Sequence, residues 1–265
     1  MTTDAHLPWP GGCLGAVSVT FDDGRVSQLQ KAVPILAEFD LRATFYVNPT
    51  GDDWLAALAP WREIARAGHE IGNHTISHPC SKALFDDPNL RCLESMTLAE
   101  IEADIVEASR RLREGIPEQT EFSFCYPCYQ EHVGEGLTRQ SYVPVVARHF
   151  IAGRGQGERG HNIPATCDLA YLYSWKAEFL TAPTLVGMAE QAATLCRWTI
   201  FTIHGIDDGH LPLSEVAFRE LCGFLAGQRT RIWTAPVVEV AKRIAAWKTI
   251  RTTKTLRHED HQEAR

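Results

Sequence analysis

Ala16-Val17-Ser18-Val19-Thr20-Phe21-Asp22-Asp23-Gly24 is the stretch on which the reading of this 265-residue chain turns. Its first six residues are apolar, β-branched or small, as in a buried strand, and Gly24 turns the chain at the end of the run. Two carboxylates thus arrive side by side at a strand's C-terminal edge, where α/β folds place their sites. Some 50 residues later, the strand-like His69-Glu70-Ile71-Gly72-Asn73 runs into His74-Thr75-Ile76-Ser77-His78-Pro79. Pro79 disfavours a helix interior, so the two imidazoles fall on a loop. One carboxylate and two imidazoles form a divalent-metal set that leaves coordination positions open for water and substrate. The other carboxylate is then free to act as a base. Asp-Asp-Gly alone is a common turn, and two histidines four apart can be unrelated; the metal reading rests on their joint occurrence.

Strand and helix signals alternate along the rest of the chain. Val26 to Phe39 is apolar at helical spacing, Ala43 to Asn48 reads as a strand, and Trp54 to Ala67 as a helix closed by Gly68. Cys80 to Ser95 reads as an irregular loop. Thr97-Leu98-Ala99-Glu100 is a capping box opening an amphipathic helix to about Gly115. Phe122 to Pro127 is the next strand, and residues 129–168 are the least regular part, with a flexible loop expected at Gly153–Gly160. Helix over Pro183–Arg197, strand over Thr199–His204, helix over Ser214–Gln228, strand over Arg231–Thr234 and helix from Pro236 to about Ile250 complete the pattern. Repeated βα units imply a parallel sheet with helices outside, and periodicity alone leaves open barrel or open sheet.

Hydrophobic residues at 45% and charged residues at 22% suit one α/β domain with a real core. A net charge of -7 gives no nucleic-acid footprint. The first residues carry no signal-peptide pattern and no stretch is apolar enough to span a membrane. The eight cysteines are scattered, unlike the staples of small secreted domains. A cytosolic protein with free thiols is therefore expected.

The two motifs resemble those of the polysaccharide deacetylases, the NodB-homology enzymes of carbohydrate esterase family 4, whose first motif is TFDDG and second H-(S/T)-x-x-H-P. The resemblance spans about residues 14–245. It implies a distorted (β/α) barrel of about seven strands, a catalytic domain over 14–250, an N-terminal extension (1–13) and a flexible tail (251–265). It implies Asp22 as the catalytic base and Asp23, His74 and His78 as ligands of a divalent metal: zinc, with cobalt or nickel as alternatives. The implied activity is removal of N-acetyl groups from an oligo- or polysaccharide. Three other readings stay open: an amidohydrolase of small cyclic ureides or imides on the same fold, a degenerate saccharide-binding member, and a less favoured dithiol redox protein.

The remaining family motifs are less well kept. The third, often Arg-x-Pro-Tyr, corresponds to Cys125-Tyr126-Pro127-Cys128-Tyr129, so Asp22 loses an expected charge partner. A backbone N–H near Cys128 or Tyr129 remains available for an oxyanion, whatever the side chain. Cys125-x-x-Cys128 is also formally a dithiol motif, yet it lacks a second zinc pair and does not open a helix. The resemblance implies that His204, after the apolar run Thr199–Ile203, is the acid that protonates a leaving amine. Asp168 with Trp175, or else Asp207 and Asp208, are the candidates to orient it.

Overall fold

The computed structural model describes residues 9–84, 91–156 and 161–263. Seven parallel strands follow one another around a ring: β1 (Gly15–Phe21), β2 (Thr44–Val47), β3 (Glu70–Asn73), β4 (Phe124–Cys125), β5 (Gly153–Arg154), β6 (Trp175–Lys176) and β7 (Trp198–Ile203). Parallel ladders join β1 through β5 in order, and β6 to β7 to β1. A parallel bridge between Arg154 and Leu172 links β5 to the segment that enters β6. The result is the expected distorted barrel. Its irregularity lies where β4, β5 and β6 have only two residues each. A further strand, β8 (Ile232–Thr234), pairs with the start of β1, and His161–Asn162 lies antiparallel to the start of β7.

The helices are α1 (Val33–Glu38), α2 (Trp54–Arg66), α3 (Leu98–Gly115), α4 (Val143–His149), α5 (Ala182–Thr194), α6 (Glu215–Gly227) and α7 (Val237–Glu263). Alternation along β1 divides the packing. Val17, Val19 and Phe21 join the main core with Ile35, Leu36 and Leu221, whereas Ala16 joins a second cluster with Trp198, Ile200 and Val240. Phe21 and Phe45 stack at 4.8 Å between centroids. Truncating either buried ring costs about 3–5 kcal/mol on general grounds. The capping box at α3 is formed: Glu100 N–H donates to Thr97 Oγ1 (3.3 Å), and Thr97 N–H donates to Glu100 Oε2 (2.8 Å). At the start of α7 the orphan N–H groups of Val237 and Val238 donate to Thr44 Oγ1 (2.9 Å) and Glu70 Oε2 (3.0 Å). That use accounts for a buried glutamate inside a strand.

Three expectations need correction. The irregular region 129–168 contains α4, opened by a proline in its first turn, which suits a helix start. Gly153–Arg154, expected in a loop, is a barrel strand paired with Phe124–Cys125, and two residues are too few to leave a periodic signal; Gly157–Gly160 lie outside the described residues. The last helix continues to Glu263 and does not stop near Ile250. Residues 85–90 of the expected Cys80–Ser95 loop also lie outside the described residues, and short 3-10 turns flank them.

Candidate metal and acid–base site

Parallel register builds the rim of the barrel. Phe21 pairs with Ile203, so Asp22 and His204 leave adjacent strands at the same level. Asn73 pairs with both Val47 and Phe124, so His74 and Cys125 emerge together, and Cys125 pairs with Arg154. Gln28, wholly buried, donates from Nε2 to the carbonyls of Asp22 (2.5 Å) and His204 (2.7 Å), tying those two strand ends.

Asp23, His74 and His78, the set that the resemblance implies, lie close together. Asp23 Oδ1 lies 3.5 Å from His74 Nε2 and 3.3 Å from His78 Nε2. Two donors each about 2.1 Å from one ion at a tetrahedral angle stand roughly 3.4 Å apart, so this donor set and its spacing fit a divalent metal such as zinc. The His74 Nδ1–H donates to the Cys125 carbonyl (3.0 Å), which leaves Nε2 facing Asp23 and open to a metal ion. Electrostatics agree. Burial disfavours an ionised Asp23, but contact with His74 and the nearby imidazoles outweigh it and hold the carboxyl well below the usual range. Burial, then His74, pushes His78 down to about 4, so it is neutral at neutral pH as a ligand must be.

The loop carrying His74 and His78 is held from α3. Asp104 accepts the Ile76 N–H at 2.5 Å and the Ser77 hydroxyl, while Asn73 Nδ2 donates to the Ile105 carbonyl (3.0 Å). Asp23, Thr75, His78, Cys128 and Tyr129 all have positive φ, between 47° and 72°. Non-glycine residues hold such angles at a cost of order 1–3 kcal/mol each, and they gather at functional sites.

Asp22 has a charge partner that the sequence did not reveal. Arg154, fully buried on β5, reaches across the barrel and donates from Nη2 to both Asp22 oxygens, 2.5 Å to Oδ2. The same Nη2 donates to Cys125 Sγ (2.6 Å), and Nη1 to Thr202 Oγ1 (2.8 Å). Tyr46 and Tyr129 flank the guanidinium, 5.2 and 5.6 Å from their ring centroids. Gly72 lets the Tyr46 ring lie against β3, since a Cβ there would meet it at 2.3 Å. Cys125 stands where the family's arginine was expected, beside the arginine that does the pairing. The signal was a lone charge inside Ile151-Ala152-Gly153-Arg154-Gly155.

His204 is oriented by Glu178 and by none of the four residues expected. Glu178 Oε1 lies 2.8 Å from His204 Nδ1, both side chains nearly buried. Asp208 pairs with Arg25 (2.7 Å) and Asp207 with Lys31 (3.2 Å), Asp168 accepts the Ala170 N–H (2.9 Å), and the Trp175 ring meets His161. The family pattern implies an aspartate, whereas here the longer Glu178 reaches His204 from just past β6. Burial works to lower the His204 pKa, but Glu178, then Asp22 and Asp23, outweigh it and hold it above its ordinary 6.5.

Cysteine pairing differs from expectation too. Cys80 and Cys128 form a disulfide, leaving six free cysteines among the described residues. Cys125, the other half of the formal dithiol motif, is free and buried. The pairing joins residues 48 apart, which chain spacing cannot reveal. Of the two backbone donors considered for an oxyanion, Tyr129 N–H is engaged by the Tyr126 carbonyl (3.0 Å), which leaves Cys128.

The polysaccharide deacetylase family model matches residues 14–134. Among curated proteins the chain is similar to a chitin deacetylase of Colletotrichum lindemuthianum, 32% identical over 103 residues, 37% of each chain. It is also similar to a chitooligosaccharide deacetylase of Sinorhizobium fredii, 30% identical over 113 residues, 42% of this chain and 46% of the relative. The match thus spans less than half the length of either relative. A solved Mycobacterium smegmatis structure carrying the polysaccharide deacetylase designation has the same fold, with a TM-score of 0.62, 18% identity and 94% and 96% of the two chains covered. So does a family 4 pseudoenzyme of Bacillus anthracis, with a TM-score of 0.53, 13% identity and 86% and 65% covered. The family match covers Asp22, Asp23, His74, His78 and both Cys80 and Cys128; Arg154, Glu178 and His204 lie beyond it.

Proposed function

We propose that the chain is a metal-dependent hydrolase that removes N-acetyl groups from amino-sugar oligomers. One observation carries the reading: two imidazole nitrogens 3.3 and 3.5 Å from one Asp23 oxygen, flanked by a carboxylate paired to Arg154 and an imidazole paired to Glu178. The chitin and chitooligosaccharide deacetylases that it resembles support the choice of substrate.

Asp23, His74 and His78 would hold the ion, which when bound supplies Lewis-acid polarisation of the acetyl carbonyl and of the attacking water. Asp22 takes the proton of that water as it attacks. Its two oxygens are already fixed by the guanidinium of Arg154, so little reorganisation is left for the transition state. The Cys128 N–H is the candidate donor to the oxyanion, a contact worth on the order of a few kcal/mol. His204, with Nδ1 held by Glu178, delivers a proton from Nε2 to the departing amine. Poor leaving groups need this most, which favours an amide over an ester substrate.

Acetate release from N-acetylglucosamine oligomers, measured on protein loaded in turn with zinc, cobalt and nickel, tests the proposal. Asp22→Asn should keep the metal and lose about 10²–10⁴ in kcat. Oligosaccharide binding with no acetate from any metal form would refute it in favour of a saccharide-binding role. Ring opening of cyclic imides without deacetylation would favour the small-amide reading.

A further inference from the structure

His78 belongs to two donor sets. On one side its Nε2 faces Asp23; on the other, Cys80 Sγ lies 3.7 Å from its Nδ1. One donor atom each from His78, Cys80 and Cys128 falls within 4.8 Å of the others. The two sulfurs are at present bonded together, on a loop following His78 and a loop following Cys125. We propose that Cys80–Cys128 is a reversible thiol–disulfide site whose reduced form, with His78, is a sulfur-rich metal-binding set that shares His78 with the Asp23–His74–His78 set.

Access and geometry both support it. Cys80 is wholly buried, whereas Cys128 is partly exposed, so a reductant meets the Cys128 sulfur first. A phosphine attacks that sulfur and expels Cys80 as thiolate. Water then gives its oxygen to phosphorus and its two protons to the two sulfurs. One disulfide and one phosphine become two thiols and one phosphine oxide, a two-electron exchange. The loops have other ties that survive the cleavage: Ser81 N–H donates to Gln130 Oε1 (2.7 Å), and Leu93 N–H to the Cys80 carbonyl (3.0 Å). Both sulfurs therefore stay near His78. Two thiolates and an imidazole are donors that zinc and cobalt accept readily.

The test is spectroscopic and needs no substrate, so its outcome is separate from that of the deacetylase proposal. Oxidised protein, and protein reduced with a phosphine and desalted without air, are each titrated with Co(II). Nitrogen and oxygen ligation gives weak visible bands, whereas thiolate ligation adds an intense near-ultraviolet charge-transfer band. The expected result is a new sulfur–cobalt band in the reduced protein. It should be absent after reduction and alkylation of the pair, and absent in Cys80→Ser/Cys128→Ser treated the same way. Cys125 is a thiol in both states and contributes equally to each. No new band on reduction, or an equal band in the alkylated protein or the double variant, would overturn the proposal. Failure of Cys80 and Cys128 to re-form the disulfide when the reduced protein is exposed to oxidised glutathione would overturn it as well.

Discussion

Arg154→Met breaks the barrel's internal ion pair while keeping an unbranched side chain of comparable length. The guanidinium is fully buried and the Asp22 side chain only 4% exposed, so water cannot take over the lost contact. Removing one member of a buried pair strands the other charge, at about 3–5 kcal/mol. The variant also gives up the donor bond to Thr202 Oγ1. For a chain of this size each kcal/mol lowers Tm by about 2–4 °C, so a fall of roughly 6–20 °C is expected. Asp22→Asn in the same background removes the stranded charge and should restore part of the loss. The assay is a double-mutant cycle in urea and thermal unfolding on wild type, both single variants and the double. Costs of the two single changes that add to within about 0.5 kcal/mol would mean that the pair is not coupled and would refute the argument. A kinetic companion tests whether position matters: Cys125→Arg added to Arg154→Met puts a guanidinium back beside Asp22 and should recover part of kcat.

Other expectations concern the rim. Alanine at Asp23, His74 or His78 should lower bound metal and activity in parallel; full metal content by atomic emission in a His74→Ala/His78→Ala protein would break the ligand assignment. Glu178→Gln removes the largest influence raising the His204 pKa. The acid works only while protonated, so the alkaline limb of the rate profile should move to lower pH, and an unmoved limb would separate Glu178 from His204. His204→Ala should abolish deacetylation of an N-acetyl sugar, spare much of the hydrolysis of an activated aryl acetate and leave metal bound. Equal loss on both substrates would assign His204 to the oxyanion or to substrate placement.

What the sequence by itself determined was local and periodic. The run Ala16–Phe21 and the helices with a clear apolar stripe were legible because a buried strand and an amphipathic helix each leave a regular trace. The Asp-Asp-Gly and His-x-x-x-His groups were legible because their members are neighbours in the chain. A family resemblance supplied the barrel, the place of His204 and the roles to test. Only the tertiary structure decided the rest. Arg154 lies 132 residues from Asp22, and Glu178 sits past a two-residue strand with no periodic signal. The parallel register sets Asp22 beside His204, and His74 beside Cys125 and Arg154, at the ends of adjacent strands. Cys80 and Cys128 meet because the loops after β3 and β4 leave adjacent strands. Charge pairing across a barrel depends on which strand ends face one another, and spacing along a chain carries no record of that.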